Sequence, residues 1–109
     1  MPGVRLSPQS KRLDVVIEAV RCAADGSRLQ LARGYERRGH VWSDLVLFSR
    51  EELIERLRRG ARIVVGRPRD LPGDFEVVAQ VRLLRNSGTE VLGAQGERGS
   101  GDSLPAPLF

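Results

Sequence analysis

From Leu13 the chain alternates with a period of two. Leu13, Val15, Ile17 and Ala19 fall on one face and Asp14, Val16, Glu18 and Val20 on the other, which predicts a strand. Asp25-Gly26, flanked by Ala24 and Ser27, offers the positive φ of a tight hairpin turn. The run after it, with Leu29, Leu31 and Tyr35 alternating against Gln30 and Glu36, predicts the second strand of that hairpin. Gly39 breaks the chain before a third strand over 41–48, whose apolar end, Leu45 to Phe48, reads as covered on both faces.

Ser49 followed three positions later by Glu52 is a capping box, each side chain satisfying the other's free backbone N–H. A helix is therefore predicted over 50–59, ended by Gly60 in the left-handed conformation. Leu53, Ile54 and Leu57 form its apolar stripe, and Glu52 with Arg56 and Glu55 with Arg59 are i,i+4 pairs of the favourable order. Residues 61–66 make a short β-branched strand, and Pro68, Pro72 and Gly73 mark a loop. Over 75–84 a fifth strand places Phe75, Val77, Ala79, Val81 and Leu83 on one face.

Three strands, a helix and two more strands predict a mainly β, α+β domain: a small five-stranded, partly open barrel or a curled antiparallel sheet with one helix after the third strand. The OB-fold barrel shares this element order, and the likeness is one of order only. A single folded domain is expected over 12–85, preceded by a flexible lead-in at 1–11. From 86 to 109 the chain is rich in Gly and Pro, which predicts a disordered tail.

Composition narrows the function classes. A length of 109 residues suffices for one domain and not two. No apolar run approaches the roughly 18–20 residues of a membrane span, residues 1–11 lack the apolar core of a signal peptide, and one cysteine forms no internal disulfide, so a cytoplasmic protein is expected. With one Cys and one His there is no metal cluster of the Cys/His kind, and no dinucleotide or P-loop fingerprint is present, so no metal or cofactor is expected. His40 lies in a loop, Cys22 reads as small apolar filler, and Asp70 with Asp74 read as turn acids; a non-enzymatic module follows.

The basic residues are 17 Arg and one Lys, but the folded body over 13–85 carries 14 Arg against 11 acids, only mildly basic. The local signal is Tyr35-Glu36-Arg37-Arg38-Gly39-His40-Val41-Trp42, which holds the only Tyr, His and Trp beside two Arg. Aromatic rings among guanidinium groups suit single-stranded nucleic acid, where bases stack and Arg grips phosphate. In a barrel of this order Arg67 and Arg69 converge on the same side, making Tyr35, Arg37, Arg38, His40, Trp42, Arg67 and Arg69 the nucleic-acid candidates. The competing and favoured reading is a module that docks a protein partner or its own copy. Its candidate surfaces are an exposed strand edge, the helix stripe and the apolar terminus with Leu104, Leu108 and Phe109.

Overall fold

Alternation and capping translate into seven strands and one helix among the described residues: β1 (Val15–Cys22), β2 (Leu29–Arg38), β3 (Val41–Trp42), β4 (Val46–Ser49), α1 (Arg50–Arg58), β5 (Ile63–Pro68), β6 (Phe75–Asn86) and β7 (Thr89–Ala94). The computed structural model describes residues 13–24, 28–71, 73–86, 88–94 and 101–109. The expected lead-in at 1–11, the Asp25-Gly26 turn and Pro72 lie outside the described residues.

The sheet runs β3-β2-β1-β5-β6-β7, with β4 also on β2, and curls into a half-barrel. The third predicted strand is two short ones along the same edge of β2, separated where Ser43 bonds to Glu36 of β2 through both its backbone and its side chain. Its backbone N–H donates to Glu36 O, and its hydroxyl accepts from Glu36 N at 3.0 Å and donates to Asp44 O at 2.8 Å. The helix consequently follows the fourth strand. Neighbouring strands pair antiparallel except β1 with β5, which run parallel through Val15–Ile63, Val16–Val64 and Ile17–Val65.

Helix α1 forms as its caps dictate. Ser49 accepts from Glu52 N, Glu52 reaches back to Ser49 N at 2.7 Å, and Gly60 adopts φ +91° just past the C-cap. Only one of the two expected intrahelical pairs is present, Glu55 with Arg59; Glu52 is taken by the cap, and Arg56 pairs with Glu36 of β2 instead. Leu53 and Ile54 are buried and join Val15, Ile17, Val20, Ala32, Phe48, Ile63, Val65, Val81 and Leu92 in the inner core. A smaller cluster of Leu13, Val16, Val64 and Phe75 covers the opposite face.

Three bulges decide which residues reach which cluster. Glu18 in β1, Gln30 in β2 and Val78 in β6 are each the extra residue where the register shifts. A bulge reverses the face on which every later side chain falls. Hence Val20 rather than Ala19 continues the inward row of Val15 and Ile17, and Phe75 and Val77 lie on the outer face while Val81 lies within. Close backbone approach at the β1–β2 pair also demands Gly34, where a β-carbon would stand 2.0 Å from Val16 O.

The sequence-based expectation of a disordered tail from 86 onward is corrected here for the described part of that stretch. β6 continues to Asn86, β7 follows, and 101–109 lies along two sheet edges, with parallel bridges of Ser103 to Gly93 and Leu108 to Val20. Ser103 N donates to Leu92 O, Val20 N to Pro107 O and Phe109 N to Val20 O. Gly and Pro content signals disorder only where no long-range partner exists, and this segment has several.

Candidate functional site

The aromatic and basic candidates meet on the outer face, and packing explains most of them. Trp42 stands edge-on to Phe75 with ring centroids 4.8 Å apart, and Tyr35 lies 5.5 Å from the same ring. Both rings back onto Val16, Val64 and Val77 as part of the outer cluster. Trp42 also presses on Gly73, where a β-carbon would come within 3.1 Å of its ring, so β3 and the β5–β6 loop do converge. Tyr35 donates its hydroxyl to Glu18 Oε1 at 3.2 Å. Burial first, and then the adjacent carboxylate, raise its pKa above the ordinary phenol value.

Each guanidinium of the predicted cluster faces a carboxylate. Arg37 donates to Leu13 O at 2.8 Å, to Gly39 O at 2.9 Å and to Asp14 Oδ1 at 2.9 Å, tying the start of β1 to the end of β2. Arg38 pairs with Glu36, Arg67 with Glu76 at 3.6 Å and Arg69 with Asp74 at 4.0 Å. Glu36 is held below the usual carboxylate range by the hydrogen bond from Arg38, burial acting against it and Arg56 adding to it. His40 is exposed in the turn between β2 and β3. Exposed ion pairs are individually weak, ~0–1 kcal/mol, yet they cancel local potential and so reduce the pull on a phosphate.

Of the expected docking surfaces, the helix stripe is occupied: Leu53 and Ile54 are buried and Leu57 packs against the inner core. The terminal segment is held within the chain. Asp102, whose side chain is 2% exposed, accepts from Leu29 N at 2.7 Å, Leu92 N at 2.9 Å, and Arg50 Nε at 2.7 Å and Nη2 at 3.2 Å. Burial works to raise its pKa, but the hydrogen bonds from Arg50, Leu92 and Leu29 outweigh that and leave it below the ordinary value. Leu104 packs on the inner core, Leu108 is exposed, and the Phe109 ring lies between Arg21 and Arg33, whose guanidinium carbons are 4.8 and 4.6 Å from its centroid.

What remains open is the edge formed by β3 and β4. No described strand other than β2 pairs with it, and Val41, Leu45 and Leu47 are 64%, 43% and 56% exposed. The apolar run Leu45 to Phe48, read from sequence as covered on both faces, is covered on one: Phe48 enters the inner core while Leu47, opposite Arg33, points outward. An exposed apolar edge strand is the surface that folded proteins ordinarily blunt with charge, proline or a covering element.

Among the described residues no group of three or more His, Cys, Asp and Glu side chains is placed to hold a metal ion, and no helix is long and apolar enough to cross a membrane. No family model matches the chain, and no curated protein or solved structure shows significant similarity to it.

Proposed function

We propose that this domain is a small interaction module, without chemistry of its own, that docks through the β3–β4 edge, with a second copy of the chain as its partner. The observation that carries the reading is the exposed apolar edge itself, Val41, Leu45 and Leu47 on strands paired only with β2 among the described residues. Strand addition satisfies edge N–H and C=O groups by main-chain pairing and takes specificity from the alternate side chains. Antiparallel pairing about a two-fold axis is self-complementary. A register centred on Val46 sets Leu45 of each copy opposite Leu47 of the other, gathering four leucines on one patch. The carboxylate beside each candidate guanidinium and the packing of Trp42 and Tyr35 on Phe75 favour this reading over a nucleic-acid groove. The one cysteine, Cys22, is free, which suits a reducing, cytoplasmic setting.

Sedimentation equilibrium across the micromolar range tests it. The expected result is a monomer–dimer equilibrium for the natural chain and a monomer for Leu47→Lys at every concentration. A natural chain that stays monomeric, or a Leu47→Lys chain that associates equally well, removes the proposal.

A further inference from the structure

The seam between the terminal segment and β5 holds a groove of about 270 Å³, just below the roughly 300–1,000 Å³ of most ligand sites and so sized for a small molecule. After Val65 the β5 strand leaves β1, and residues 107–109 take over the β1 edge, so the seam is where the sheet changes partners. Ala19, Val65 and Gly66 lie on the sheet side of the groove, and Pro105, Pro107 and Leu108 come from the terminal segment. Two of the three bulge residues, Glu18 and Val78, line it, and bulges recur where a strand must re-aim a side chain at a site.

The charged lining is two guanidinium groups, Arg33 and Arg67, against the one carboxylate of Glu18. Each Arg faces one carboxylate, at a distance longer than a charge-assisted hydrogen bond. Arg33 stands 3.5 Å from Glu18, beyond a short charge-assisted hydrogen bond, and its buried Nε has no hydrogen-bond partner among the described residues. Glu18 is itself shared with the Tyr35 hydroxyl, and Arg67 is 3.6 Å from Glu76. Stacking on Phe109 limits the positions open to the Arg33 fork, so little ordering entropy opposes its use. The remaining lining is apolar and open, Val78 being 45% and Leu108 74% exposed.

We infer that this groove binds a small monocarboxylate carrying an apolar body, the carboxylate on Arg33 with Arg67 beside it and the body along Val78, Pro105, Pro107 and Leu108. A planar carboxylate matches the guanidinium fork and can take it in place of the long contacts to Glu18 and Glu76. The site is distinct from the β3–β4 edge and does not depend on that reading.

Titration of the full-length, ¹⁵N-labelled chain with octanoate tests it, with 1-octanol and octylamine as controls. Octanoate should shift the amides of Ala19, Gly66, Val78 and Leu108 at millimolar concentration, and neither control should do so at equal concentration. Arg33→Gln should weaken binding by about tenfold or more, the weight of one charge-assisted hydrogen bond. Because that change also removes a contact to Phe109, Leu108→Glu serves as the second variant: it places a carboxylate at an exposed position of the wall and should weaken octanoate similarly. Absent shifts at these amides, equal binding of octanol, or unchanged affinity in both variants would overturn the assignment.

Discussion

The two edges of the curled sheet carry similar apolar residues and meet opposite fates. At one, the terminal segment lies against β7 and the far half of β1, with Asp102 buried at one end and Phe109 between two Arg at the other. At the other, β3 and β4 leave Val41, Leu45 and Leu47 in solvent. Exposure of an edge is decided here by whether some distant part of the same chain brings polar partners to it. Hydrophobicity counts alone do not separate the two, since Leu104 and Leu47 look alike in the sequence.

The largest effect expected from breaking the closed edge is at Asp102. Asp102→Ala leaves the Arg50 guanidinium and two backbone N–H groups without their acceptor in a largely buried site, and should cost about 3–5 kcal/mol, read from the denaturant midpoint. Asp102→Asn, which keeps an acceptor oxygen, should cost less.

Acid should act on the same clamp. The folded pKa of Asp102 lies below the unfolded value, so its contribution is fully present above the unfolded carboxyl pKa of about 4 and is lost as pH falls through the folded value. Stability measured between neutral pH and pH ~3 should therefore fall in the natural chain, and fall less steeply in Asp102→Ala. Parallel curves for the two chains would remove Asp102 as the acid-sensitive group.

Smaller again is Phe109→Ala, which deletes a ring stacked on two partly exposed guanidinium groups and should cost about 1–2 kcal/mol. At the open edge Leu47→Lys should change stability by no more than ~0.5 kcal/mol while preventing association, because the side chain it replaces is exposed. The smallest effect concerns the outer face. A labelled single-stranded oligonucleotide should show little binding at low salt, and Arg37→Gln with Arg38→Gln should leave that little unchanged. Strong binding that weakens steeply with salt would restore the nucleic-acid reading.

Local signals made much of this fold readable. The Ser49–Glu52 box and Gly60 bounded α1, and the period-two runs located β1, β2, β5 and β6 to within a few residues. Faces were harder to read, because period two holds only until a bulge: Leu29 and Tyr35 share a parity, yet Gln30 intervenes, so Leu29 enters the inner core and Tyr35 the outer cluster. The clamp at Asp102 was invisible because its partner Leu29 is 73 positions away and nothing in a Gly-rich stretch marks an acid as buried. The candidate cluster of aromatics and Arg was readable as a neighbourhood, as was the nearby loop acid Asp74, while the neutralising acids Asp14 and Glu76 were not, since pairing across strands depends on register.

The docking claim is tested most directly by following backbone amide shifts of the natural chain as its concentration is raised. Amides from Leu45 to Ser49 should move together with concentration while those of Val20, Leu92 and Phe109, at the edge already closed, stay fixed. Concentration-independent shifts along β4, or movement confined to the terminal segment, would contradict it.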